Sequence, residues 1–87
     1  YIVLSNRESG NGRPDIIVKY PSVRGKAIII ETKVSRTYDG LETKCDEALE
    51  QIETQKYDEA LRREGYRDIV KYGVAFYRKE CMVKTGR

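Results

Sequence analysis

Histidine is missing from all 87 residues. That absence removes imidazole acid–base chemistry, Ser-His-Asp and Cys-His triads and nearly every zinc site. Any reaction must therefore be carried by carboxylates, lysine, tyrosine or a hard metal held by oxygen ligands. Cysteine is scarce: Cys45 and Cys81 lie far apart and make no CxxC pair. They read as free thiols of a reducing compartment rather than as one disulfide, which points to the cytoplasm. No apolar run approaches membrane-spanning length and no charged-then-apolar leader opens the chain, so no membrane partner is expected. A basic stripe is lacking as well. The net charge is only +3, and Lys44, Lys56, Arg62 and Arg63 are interleaved with acids. Such a balance permits an anionic partner without demanding one.

What is present suits a solvated domain with one modest core: 36% of residues are charged and 39% are hydrophobic. Tyr1 to Leu4 is β-prone, and Asn6 to Arg13 (NRESGNGR) is rich in turn formers. Strands are expected over Asp15 to Tyr20 (DIIVKY) and Ala27 to Val34 (AIIIETKV), joined by the short connection Pro21 to Lys26. After the breakers Thr37 to Gly40, Leu41, Cys45, Ala48, Leu49 and Ile52 form one apolar stripe at helical spacing. The spacing predicts a helix running to about Glu64, with Gly65 as its stop and Cys45 as a core thiol. Tyr72 to Tyr77 (YGVAFY) reads as a fourth strand, Arg78-Lys79 as a tight turn and Cys81 to Val83 as a short edge strand. The order β-β-β-α-β-β implies an α/β domain with one mixed sheet and the long helix on one face. The chain opens inside a strand without methionine and closes just after another. Residues 1–87 are thus expected to be a single domain, the C-terminal fragment of a longer protein.

Charged side chains are costly on a buried strand unless paired or bound to something, and AIIIETKV runs straight into Glu31-Thr32-Lys33. With the hairpin turn centred on Val23, opposed residues have numbers summing to 46 and Asp15 faces Glu31. Alternation along the strand puts Glu31 and Lys33 on one face, and Asp15 joins them. Directly opposed Cβ atoms lie about 4.5–5.5 Å apart, close enough for two carboxylates to share one Mg²⁺. Such a metal relieves the repulsion between the acids, polarises a phosphoryl oxygen and lowers the pKa of a bound water. Lys33 is placed to orient that water or to stabilise charge on the phosphate. Either acidic piece alone reads as structural: a strand's exit into solvent, or an acid in a turn. Facing each other across a hairpin beside an apolar core, they read as a site.

Pro14-Asp15 followed by Glu31-Thr32-Lys33 resembles the motif of the PD-(D/E)XK nuclease superfamily, and Gln51 in ALEQI stands where many members place a glutamine. More narrowly, SNRESGNGRPDIIV, IIIETK, EQIETQKY and YGVAFYRKECMV are similar to a bacterial branch in which the nuclease-like domain follows an AAA-type ATPase domain in one polypeptide. The resemblance implies a restriction-endonuclease-like mixed β-sheet flanked by helices. It further implies Mg²⁺ or Mn²⁺ held by Asp15, Glu31 and the Thr32 carbonyl, a water positioned by Lys33, and Gln51 orienting that water or the scissile phosphate. Members usually carry a further acid on a helix before the first strand. This chain starts inside that strand, and Glu8 in the loop reads as a surface charge.

The function expected is metal-dependent hydrolysis of phosphodiester bonds in nucleic acid, DNA before RNA. The alternative is a non-catalytic nuclease-like module that binds nucleic acid or an adjoining ATPase domain. A third reading is a structural homodimer formed through exposed strand edges. Arg7 and Arg13, flanking the loop before Asp15, are candidate phosphate contacts. Tyr57, Tyr66, Tyr72 and Tyr77 read as half-buried packing, with Tyr57 near enough to Gln51 to cap a pocket there.

Overall fold

The computed structural model describes residues 1–5 and 14–86. Its elements are β1 (Ile2–Ser5), β2 (Ile16–Lys19), β3 (Lys26–Val34), α1 (Leu41–Thr54), α2 (Asp58–Glu64), β4 (Asp68–Tyr77) and β5 (Glu80–Gly86). The strands form one five-stranded sheet in the order β1-β2-β3-β4-β5. Only β3 and β4 pair in parallel, because the helices carry the chain back across the sheet between them; the other pairs are antiparallel. The fold is thus α/β with a mixed sheet, as expected, and the hairpin register has the expected sum, with Ile16 opposite Ile30 and Ile17 opposite Ile29. No helix among the described residues is long and apolar enough to cross a membrane. Arg7, Glu8 and Arg13 lie outside the described residues.

The core lies on one face of the sheet. Ala27 and Ile29 of β3 meet Ile52 of α1, Leu61 of α2 and the rings of Tyr57 and Tyr66, while Leu41 and Cys45 close on Ala75. Ile29 and Ile52 are fully buried, each worth about 1.5–3 kcal/mol relative to exposure. Cys45 is a core thiol, its Sγ 3.2 Å from the Met82 carbonyl oxygen. Gly73 lets α1 come down onto β4: a Cβ there would run into the Cys45 carbonyl and sit 3.2 Å from the Ala48 Cβ.

Where one long helix was expected, two are found. The chain breaks at Gln55 to Tyr57, with Lys56 in the left-handed region at φ 53°. The phase of the apolar residues explains the break. At about 100° per residue, Tyr57 and Leu61 on an unbroken helix would lie roughly 140–180° from Ile52, on the solvent side. One left-handed residue turns both back to the core, and α2 then ends at Gly65, left-handed at φ 112°. The fourth strand begins at Asp68 rather than Tyr72, and the last runs through Gly86 rather than stopping at Val83.

Candidate active site

The hairpin of β2 and β3 builds the acidic half of the site. The β2 ladder ends at Ile16, and Asp15 stands in a bend just before it, beside Glu31. The Asp15 N–H donates to Glu31 Oε1 at 3.0 Å. In the other direction, Asp15 Oδ2 accepts the Thr32 N–H at 2.9 Å and the Thr32 hydroxyl at 2.6 Å. Each acid is therefore held by the backbone of the opposite strand.

Glu31 is 3% exposed, on the same face of β3 as Ile29. Burial pushes its carboxyl above the ordinary glutamate range. The Asp15 N–H counters this, the Asp15 carboxylate adds to it, and the Lys33 ammonium and the Gln51 amide oppose it. A buried carboxylate so placed, with a second one beside it, could offer oxygen ligands to a cation.

The basic and amide half comes from β3 and α1. Lys33 Nζ donates to Gln51 Oε1, and Gln51 Nε2 donates to the Tyr57 hydroxyl at 3.1 Å. Gln51 thus bridges the strand lysine and the tyrosine of the helix break, and the break is what brings Tyr57 to it. Asp15, Glu31, Thr32, Lys33 and Gln51 are all brought together, and Tyr57 stands beside Gln51. A shallow depression of about 340 Å³ opens next to Lys33, walled by Glu47, Glu50, Gln51 and Thr54. A cavity of about 480 Å³, lined in part by Lys26, Arg62, Arg67 and Asp68, lies at the other ends of β3 and β4 and touches none of these groups.

Lys71 is a charged residue that sequence reading left unremarked. It is 4% exposed on the helix-facing side of β4, with Nζ 2.6 Å from Glu53 Oε1 and 3.7 Å from Asp58 Oδ2. Asp58 in turn holds Arg62 at 2.8 Å. This network ties the end of α1 to the start of α2 and so braces the break that carries Tyr57.

The donors suit a hard divalent cation such as Mg²⁺ or Mn²⁺. Mg²⁺ is commonly held by one or two carboxylates, with water and substrate phosphate supplying the remaining oxygens. Among the described residues no group of three or more acidic, cysteine or histidine side chains converges, so Asp15 and Glu31 are the carboxylates on offer. No curated protein matches the chain, and no solved structure does. Comparison with protein families matches residues 1–86 to the PD-(D/E)XK nuclease superfamily. With its match spanning nearly the whole sequence, the chain belongs to the PD-(D/E)XK nuclease superfamily.

Proposed function

We propose that this domain is a metal-dependent nuclease that hydrolyses phosphodiester bonds in nucleic acid, DNA before RNA. The observation that carries the reading is the buried Glu31 carboxylate beside Asp15, with Lys33 and Gln51 bonded to each other on the same side. Asp15 and Glu31 would hold Mg²⁺ or Mn²⁺, aided by the Thr32 carbonyl. A cation bound there supplies Lewis acidity to a phosphoryl oxygen and a more acidic water.

The remaining work falls to this chain's own groups. The Lys33 ammonium orients the attacking water and stabilises negative charge gathering on the phosphoryl oxygens. Gln51 holds that ammonium in place through its carbonyl oxygen, while the Tyr57 hydroxyl fixes the amide by accepting from its nitrogen. Thr32 fixes the Asp15 carboxylate through Oδ2, which takes both its N–H and its hydroxyl. Arg7 and Arg13 are proposed to contact the substrate backbone. A neighbouring AAA-type ATPase domain in the same polypeptide rests on the similarity of the four sequence segments alone.

Calorimetric titration of Mn²⁺ into the protein and into Asp15→Asn and Glu31→Gln tests the reading, alongside cleavage of single- and double-stranded DNA and of RNA. The expected result is binding to the parent chain, its loss in both variants, and metal-dependent cleavage. Salt-sensitive nucleic-acid binding that ignores metal and survives Glu31→Gln would overturn it in favour of the non-catalytic module.

A further inference from the structure

We propose that Lys71 is a positioning residue for the site: it locks the bend between α1 and α2, and through it aims Gln51 and the Lys33 ammonium. The consequence for turnover rests on the nuclease reading above; the positioning itself does not. Among the described residues, lysines of four strands reach the helices. Lys19 Nζ bonds Glu64 of α2, Lys33 Nζ bonds Gln51 of α1, and Lys84 Nζ bonds Glu42 and Asp46 of α1. Lys71 alone of these joins both helices, with Glu53 of α1 at 2.6 Å and Asp58 of α2 at 3.7 Å. It is also the most deeply buried, its side chain 5% exposed against 16% for Lys19 and 36% for Lys84.

The two acids it joins bracket the bend. Between them stand Thr54, Gln55, Lys56 and Tyr57, with Lys56 at φ 53°, a conformation that residues with a side chain rarely adopt. The Lys56 N–H donates to the Glu53 carbonyl and the Tyr57 N–H to the Ile52 carbonyl, each at 3.2 Å. These bonds close the turn on α1, and Lys71 fastens its α2 side to the sheet. Taking an ammonium out of water is costly unless its partners are well placed, and here each end of the bend supplies one. An apolar residue at this position would fill the space but would not set the distance between Glu53 and Asp58.

Tyr57 passes the position of the bend on to the site. Its hydroxyl accepts from Gln51 Nε2 at 3.1 Å, which turns the Gln51 carbonyl oxygen towards Lys33 Nζ. An ammonium has donors only, so an amide turned the other way would set N–H against N–H. In the strand register Lys71 pairs with Ile29 and Lys33 with Ala75, which puts the two lysines about 13 Å apart along the sheet. Lys71 therefore reaches neither the acids of the site nor Lys33, and it acts through the bend. With the bridge gone, the first turn of α2 is released, the Tyr57 hydroxyl shifts, and the Gln51 amide loses its fixed orientation.

NMR spectra of the side-chain amides test the proposal, with the Gln51 signals assigned by their loss in Gln51→Glu. Lys71→Met and Glu53→Ala are compared with Tyr57→Phe and with Lys84→Met, which removes a lysine bonded to two acids of α1 away from the bend. The expected result is that Lys71→Met moves the Gln51 signals in the direction that Tyr57→Phe moves them. Glu53→Ala should move them the same way by less, and Lys84→Met should leave them in place. The Glu53 side chain is 56% exposed, so its truncation keeps the fold and carries the test should Lys71→Met not fold. In single-turnover cleavage at saturating Mn²⁺, Lys71→Met should cost about tenfold, and Lys71→Met with Tyr57→Phe no more than Tyr57→Phe alone. Gln51 signals indifferent to both Lys71→Met and Glu53→Ala, whatever happens to Tm, overturn the proposal and leave Lys71 a structural ion pair. Rate losses that multiply in the double variant overturn it too. A parent chain that cleaves nothing sinks the nuclease reading instead, and the amide signals still decide the positioning.

Discussion

The Asp15 N–H donates to the Glu31 carboxylate, and the Asp15 carboxylate accepts from the backbone of Thr32, the residue after Glu31. Two acids that repel are thus clamped by each other's strands, and without metal the cost falls on the buried Glu31. Its carboxyl is raised by burial, so between its unfolded and folded pKa values the native state binds more protons than the unfolded chain. This group's contribution is therefore fully present below the unfolded pKa and is lost as pH rises through the folded one. Glu31→Gln should stabilise the metal-free protein at neutral pH by about 0.5–2 kcal/mol, a common trade at functional sites. Urea denaturation of both proteins in chelator at neutral pH measures it, and an excess of Mg²⁺ should narrow the difference or reverse it.

Lys33 touches Gln51 and lies beyond the two acids, so its part is expected to be in turnover rather than in holding metal. Lys33→Met should lower the cleavage rate by about 10²–10³-fold, as loss of one charge-stabilising donor does, while Mn²⁺ affinity stays within a few-fold. Calorimetry and single-turnover cleavage on the same preparation separate the two.

Tyr57, 5% exposed, acts at one remove through the Gln51 amide. Tyr57→Phe keeps the packed ring and removes only the acceptor. The expected loss is about 1 kcal/mol of stability, the net worth of one hydrogen bond, and about tenfold in rate as Gln51 loses its fixed orientation. Cleavage at saturating metal checks it. A rate equal to the parent's would leave Tyr57 as packing alone.

The Lys71 network gives the acid limb of stability. Burial would raise the Asp58 carboxyl, but the Arg62 hydrogen bond and the Lys71 charge outweigh burial and hold it below the ordinary aspartate range. In acid the native state therefore binds fewer protons than the unfolded chain, and stability present above the unfolded pKa is lost as pH falls through the folded one. Asp58→Asn should flatten this acid loss in denaturation curves taken between pH 7 and pH 3. Lys71→Met should destabilise by about 1–3 kcal/mol. That is less than a fully buried ion pair costs, because Glu53 reaches solvent and Asp58 keeps Arg62.

The hairpin was legible because it follows from local rules: a short connection sets the register, and alternation sets the face. Asp15, Glu31 and Lys33 could be placed together from those alone. Gln51 came from the resemblance, since helical phase put it only on the flank of the stripe. The break after α1 was visible in principle, because Tyr57 and Leu61 fall out of phase with Ile52, but an all-polar stretch between them hides the shift. The first half of β4 was missed for a different reason. Asp68 and Lys71 break up its apolar run, and only the acids at the helix ends, Glu53 and Asp58, make a buried lysine tenable there.

The bend at Gln55 and Lys56 lies on the surface, where chains ordinarily accept change of every kind. Here composition and length come apart. Side chains at these two positions can vary at little cost, and glycine at Lys56 would even ease its left-handed backbone. One residue added or removed would instead rotate all that follows by about 100° and carry the Tyr57 hydroxyl away from Gln51. The segment should behave as a spacer of fixed length, indifferent to spelling and intolerant of insertion.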